Sequence, residues 1–140
     1  AYTLPGVGMS VTGRTIAERA LLQVGTAFRK NGRLPDVGLD CVGLVGHALA
    51  LDDIPNDYSL RGNHMTRIED YLRRNFCVVS PPSDTVAPGD IAAVCSAPTQ
   101  VHLIVRTDQG WVHAHAGLRR VVITPDPLPW PVLSIWRYKG

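Results

Sequence analysis

At 140 residues and 45% hydrophobic content, the chain is long enough to bury a core in one domain without staples. A net charge of +2, with no basic stripe interleaved with aromatics, argues against nucleic acid as a partner. The three cysteines, Cys41, Cys77 and Cys95, are odd in number and lack CxxC spacing, which argues against a disulfide framework and a cysteine zinc site.

Residues 1–12 are read as a leader outside the folded domain, which is expected over 13–140. No signal peptide is visible, and no apolar run reaches the roughly 20 residues that a membrane span needs. Thr15-Ile16-Ala17-Glu18 matches a capping box, and Ile16, Ala20, Leu21 and Val24 follow at helical spacing, predicting a helix over 15–25. A loop through Asn31, Gly32, Pro35 and Gly38 leads to a second helix over 41–51. A polar loop with Pro55, Asn56, Asp57 and Gly62 precedes a third helix, opened by Thr66-Arg67-Ile68-Glu69 and ending near Asn75. Strands are predicted at 76–79, 90–95, 101–107, 111–116, 120–124 and 133–138. Pro88-Gly89-Asp90 and Asp108-Gln109-Gly110 are turns between them, and Pro125, Pro127, Pro129 and Pro131 stiffen the last connector. Helices first and strands later imply an α+β domain with an antiparallel sheet.

Cys41 carries the most chemical information. Asp40 is a good N-cap, and apolar residues recur at 41, 44, 45, 48 and 49, so the thiol sits in a first helical turn facing inward. Free N–H groups and the positive dipole end at that position favour the thiolate. Cys77 and Cys95, in strand-like runs, are read as small core hydrophobes.

The histidines are the second signal. Alternation along a strand puts His113 and His115 on one face. A two-residue turn at 108–109 sets 102 opposite 115, so His102 joins them on that face. One imidazole can then take the Cys41 proton while a second orients it, and spacing leaves His113 and His115 as alternatives for the second role. His47 and His64 lie off this set and are expected in solvent.

These residues resemble the NlpC/P60 cysteine peptidases. The matching segments are Gly25-Thr26-Ala27-Phe28, Gly38-Leu39-Asp40-Cys41-Val42-Gly43-Leu44-Val45, Pro88-Gly89-Asp90, His102-Leu103-Ile104-Val105 and Val112-His113-Ala114, in family order over about 15–124. The resemblance implies a papain-like α+β fold with Cys41 as nucleophile, His102 as general base and acid, and His113 as the group orienting it. It also implies peptidoglycan stem peptides as substrate, cut between γ-D-glutamate and the diamino acid, with no cofactor. Asp40 and Phe28 stand where family members bind the stem-peptide amine, and His115 completes the candidate substrate-binding set. Two departures concern specificity: Val42 replaces the usual Ser after the nucleophile, and Phe28 replaces a Tyr. The aliphatic Val42, with no cell-wall-targeting domain in view, resembles the phage-tail and gene-transfer-agent branch. Tail-like particle proteins are then expected partners, with synthesis in the cytoplasm and action at the wall.

Two other readings compete. His102, His113 and His115 could supply three imidazoles to a zinc ion with an open position for water. A catalytically silent tail protein could keep the fold without turnover.

Overall fold

The computed structural model describes residues 12–30, 32–49, 65–79, 86–97 and 100–139, apart from the side chains of 65–68. Three helices, α1 (Gly13–Leu22), α2 (Cys41–Leu49) and α3 (Met65–Arg73), precede a run of strands. A two-stranded ribbon, β1 (Arg33–Leu34) and β2 (Gly38–Leu39), lies between α1 and α2. The main sheet contains β3 (Phe76–Val78), β4 (Ile91–Ala97), β5 (Gln100–Thr107), β6 (Gly110–His115), β7 (Arg120–Thr124) and β8 (Val132–Tyr138), in the order β3-β8-β4-β5-β6-β7. Every pairing in it is antiparallel. The six strands correspond to the six expected from alternation and turn residues.

Helix starts are where sequence and structure part. The box that opens α1 is Thr12 with Thr15, three residues earlier than expected. The Thr12 hydroxyl accepts from the Thr15 amide at 3.2 Å, and the Thr15 hydroxyl accepts from the Thr12 amide at 2.7 Å. Thr15 thus fills the role usually given to Glu or Gln. Of the leader expected over 1–12, Thr12 is the one described residue, and it caps a helix. At the other end the C-cap is Gln23, which leaves Val24 outside α1 and exposed.

The Pro88-Gly89-Asp90 turn fastens α1 to the sheet. Gly89 has φ +91°, and a Cβ there would lie 2.2 Å from the Gly13 carbonyl oxygen, so only glycine allows this approach. Asp90 is buried and accepts two bonds from Arg137, Nε to Oδ1 at 3.0 Å and Nη2 to Oδ2 at 2.8 Å. This fork holds β8 beside the start of β4.

The sheet has two apolar faces. On one, Val101, Leu103, Val105, Val112, Ala114 and Val121 join the α1 and α2 residues Ile16, Ala20, Cys41, Val42, Leu44, Val45 and Ala48 in the main core. On the other, Ala92, Val94, Ile104, Trp111 and Ile135 form a second cluster, covered by Leu128 and Trp130 from the proline-rich connector. The sequence pattern gave α2 one buried face, but every residue of it except His47 is buried. A helix apolar all round is an interior helix, and α2 packs against α1, β5 and β6.

Three expectations are corrected by this packing. His47 is half-buried rather than solvated, and burial followed by the charge of Arg19 pulls its pKa down. Cys77 is exposed, because β3 is a sheet-edge strand that turns Phe76 inward and its next two residues outward. Cys95 is half-buried beside an irregularity in the β4–β5 register, with its thiol donating to the Ala97 carbonyl at 3.1 Å. Neither is a core residue. His64, the polar loop at 55–62 and the side chain of Ile68 fall outside what is described.

Candidate active site

The thiol arm is built from local geometry. Asp40 Oδ1 accepts from the Gly43 amide at 2.8 Å, the bond an N-cap makes to the third helical residue, so α2 starts at Cys41 as the sequence predicts. The same oxygen accepts from Arg33 Nη1 at 2.9 Å. The β1–β2 ribbon lies so close to this turn that a Cβ at Gly43 would stand 2.0 Å from the Gly32 carbonyl oxygen. Arg33 was not singled out in the sequence, and Gly43 only as part of the matching segment. Their signal was the glycine one turn into an otherwise apolar helix.

Cys41 is 3% exposed, and that burial changes its chemistry. Burial first, and the adjacent Asp40 charge second, push its pKa up to about 12. The amides of Leu103, Val42 and Cys41 itself act the other way, since N–H groups stabilise a thiolate. Helix position alone predicts a lowered pKa; desolvation outweighs it, and the resting group is a protonated thiol. Leu103 lies on β5 immediately after His102, so the thiol meets this strand one residue from the candidate base.

The imidazole arm is built from strand register. The Asp108–Gln109 turn is a two-residue loop with Thr107 opposite Gly110, followed by Arg106 opposite Trp111 and Val105 opposite Val112. That is the register expected from the sequence. It brings the three imidazoles together, with His102 and His113 ring centroids 4.9 Å apart and those of His113 and His115 5.6 Å apart. His102 Nε2 and His113 Nδ1 share a hydrogen bond of 2.9 Å. His113 is fully buried, and its Nε2 is 2.7 Å from the Thr124 hydroxyl. Burial lowers the His102 pKa to about 3, helped by the charges that His113 and His115 would carry. Burial, then His115, lowers that of His113 to about 4. Both rings are neutral at physiological pH.

The two arms approach β5 from different sides. Val101, Leu103 and Val105 pack beneath α2, whereas His102 and Ile104 alternate to the face covered by the connector. Among the described residues no hydrogen bond joins Cys41 Sγ to an imidazole, and none engages His102 Nδ1. The ring sits edge-on to Trp130 at 6.1 Å, as does His113 at 5.3 Å. Trp130 and Thr124 were missed in the sequence because the connector reads only as stiff chain and Thr124 only as a strand end.

The expected substrate-binding residues are placed as follows. Asp40 is buried, occupied by the Gly43 amide and Arg33. Phe28 is half-buried against the core, its amide donating to the Arg119 carbonyl at 3.0 Å. His115 is half-buried at the end of β6, where Nδ1 accepts from the Leu118 amide at 3.1 Å. The zinc reading meets a geometric obstacle. The facing nitrogens of His102 and His113 bond each other, and His115 Nδ1 is taken by the Leu118 amide. Among the described residues no group of three or more His, Cys, Asp or Glu side chains could hold a metal. No helix among them is long and apolar enough to cross a membrane.

Two solved structures share this architecture. NlpC1 from Trichomonas vaginalis is 22% identical, with a TM-score of 0.71 over 98% of this chain and 48% of that one. NlpC2 from Trichomonas vaginalis is 20% identical, with a TM-score of 0.69 over 99% of this chain and 50% of that one. The chain thus spans about half the length of each. No protein-family model matches the sequence, and no curated protein matches it either. The likeness is one of fold: helices packed on a six-stranded antiparallel sheet in the papain-like α+β arrangement of NlpC structures.

Proposed function

We propose that this chain is a cell-wall peptidase that cleaves stem-peptide amide bonds in peptidoglycan, at the γ-D-glutamyl-diamino acid bond, with Cys41 as nucleophile. The observation that carries the reading is the 2.9 Å bond between His102 and His113, formed on β5 one residue from the strand amide that meets the thiol. That bond spends Nε2 of His102 and, among the described residues, leaves Nδ1 without a hydrogen bond, as a base toward a thiol requires. The NlpC-type fold and the family-ordered sequence motifs support the substrate class. The tail-particle setting is supported by the sequence resemblance alone.

In this mechanism the Cys41 proton moves to His102 Nδ1 as Sγ attacks the scissile carbonyl carbon. Backbone amides at the start of α2 hold the oxyanion. Burial raises the thiol and lowers the imidazole, which favours the neutral form of each at rest, so transfer and attack proceed together. The proton then passes from His102 to the leaving amine. Water attacks the thioester, delivers a proton to His102, and the acid product leaves as Cys41 takes that proton back.

The deciding experiment incubates the protein with peptidoglycan fragments beside a thiol alkylator, a metal chelator and Cys41→Ala. New amines that vanish with alkylation or the variant and persist with the chelator support the thiol mechanism. Cleavage that the chelator stops and Cys41→Ala spares overturns it. A catalytically silent role draws on one observation, that among the described residues no hydrogen bond joins the thiol to an imidazole, and predicts no amines in any arm.

A further inference from the structure

We propose that Thr124 is a positioning residue that fixes the tautomer of the His102–His113 pair, so that His102 presents an unprotonated Nδ1. The inference rests on the peptidase reading for its catalytic consequence, but the proton arrangement stands on geometry. Three groups lie in a chain: His102 Nε2 to His113 Nδ1 at 2.9 Å, then His113 Nε2 to Thr124 Oγ1 at 2.7 Å. Two neutral imidazoles carry one proton each, and each bond needs one donor and one acceptor.

Only two arrangements satisfy the inner bond. In the first, His102 carries its proton on Nε2 and donates to His113 Nδ1, and His113 carries its own on Nε2 and donates to Thr124. In the second, both protons move to Nδ1, so that His113 donates to His102 and His102 holds a proton on the nitrogen left for the thiol. The second arrangement cannot take the Cys41 proton. The Thr124 hydroxyl can serve either, but the neighbours bias the choice. His113 is fully buried, so a proton on its Nε2 needs a fixed acceptor, and among the described residues Thr124 is the one side chain bonded to that nitrogen. No carboxylate bonds either ring among the described residues, so the acceptor at the end of the chain is this hydroxyl, delivered from the last residue of β7. Trp130 stands edge-on to both rings, with centroids 6.1 Å from His102 and 5.3 Å from His113. The family resemblance stops at His113; the structure extends the chain by one residue.

Replacing Thr124 by Val keeps the β-branched shape and removes the acceptor. The buried His113 Nε2–H then has no partner, and the pair relaxes toward the arrangement with protons on Nδ1. Thr124→Ser restores the hydroxyl.

The test reads the imidazole nitrogens directly, by ¹⁵N chemical shifts of histidine-labelled protein, alongside steady-state cleavage of peptidoglycan fragments. Expected in the wild type are protons on Nε2 of both rings. Thr124→Val should move proton density to Nδ1 and lower kcat by about tenfold or more, with KM within about twofold, because orientation and tautomer act in the transition state. Thr124→Ser should return both readouts. A wild-type His113 protonated on Nδ1 overturns the inference, as does a Thr124→Val protein with unchanged shifts or one that Ser fails to rescue. Wild-type protein that cleaves nothing would overturn the peptidase reading, and the nitrogen shifts would still decide the role of Thr124.

Discussion

The thiol arm and the imidazole arm are built by opposite means. Cys41 is placed by a helix start, with its cap, its glycine and its ion-paired Arg33 all within eleven residues of chain, at 33–43. The histidines are placed by register, through strand pairs that bring 102, 113 and 124 together and a connector that brings 130 across them. Local construction makes the first arm rigid in position but leaves its chemistry hostage to burial. Non-local construction makes the second depend on a turn and a ladder, yet it sets two pKa values at once. The lesson is that a motif read from sequence reports where a nucleophile stands, while its protonation state is decided by what packs on it.

The comparison breaks first at the nucleophile. Cys41→Ala should abolish cleavage, by about 10⁴-fold or more. It should shift stability by only about 1 kcal/mol, because the side chain loses one buried atom. A loss of folding in this variant would make Cys41 a core residue before anything else. Next is the choice between His113 and His115. His113→Ala should lower kcat by about 10²-fold with little change in KM, since the orienting bond is lost. His115→Ala should leave kcat nearly unchanged; equal effects would dissolve the distinction that the 2.9 Å bond draws.

The pH profile sharpens the same contrast. A thiolate–imidazolium pair would lose activity in acid as the thiolate takes a proton and in alkali as the imidazolium gives one up. Here the active form holds a protonated thiol and a neutral His102, so activity should stay level from about pH 5 to about pH 9, falling in acid as His102 takes a proton. An alkaline limb below about pH 9 would mean that substrate-free protein already holds the ion pair, since the imidazolium would lose its proton there. At the local arm, Gly43→Ala should cost about 3 kcal/mol, read as a lowered thermal midpoint, because its Cβ collides with backbone rather than a movable side chain. An unchanged midpoint would mean that the β1–β2 ribbon is free to move away from α2.

How much of this was legible follows from the kind of signal each part leaves. The six strands and the two-residue turn were readable because alternation and turn residues are local. The start of α2 was readable because Asp40 and the apolar run coincide. The box at Thr12 was not, because Thr15 does the work of a longer side chain and the pattern one step along looked better. The β1–β2 ribbon escaped because two-residue strands carry no period. Thr124, Trp130 and the pKa of Cys41 escaped for a deeper reason: each depends on contacts made across the sheet, and no spacing along the chain encodes them. The exposed Cys77 is the same failure in reverse, since its strand reads as core until its place at the edge is known.

The smallest expected effects set the two arms at opposite ends of the pH scale. His102 and His113 have folded pKa values near 3 and 4, below the ordinary 6.5, so the unfolded chain binds protons that the folded one refuses. Their contribution to stability is complete above pH 6.5 and is lost as pH falls toward those values. One unit below the ordinary pKa, the loss is about 1.4 kcal/mol per imidazole. Cys41 behaves conversely. Its folded pKa near 12 lies above the ordinary 9.0, so its contribution is complete below pH 9.0 and is lost as pH rises toward 12. Urea midpoints measured at pH 5.5, 7.5 and 10 should therefore fall at both ends in the wild type. His102→Gln/His113→Gln should flatten the acid side alone, and Cys41→Ala the alkaline side alone. An acid loss that survives the double variant would mean that the imidazoles are not its source. The thiol and the imidazoles would then differ in position but not in how the fold holds their protons, and the contrast between the arms would reduce to geometry.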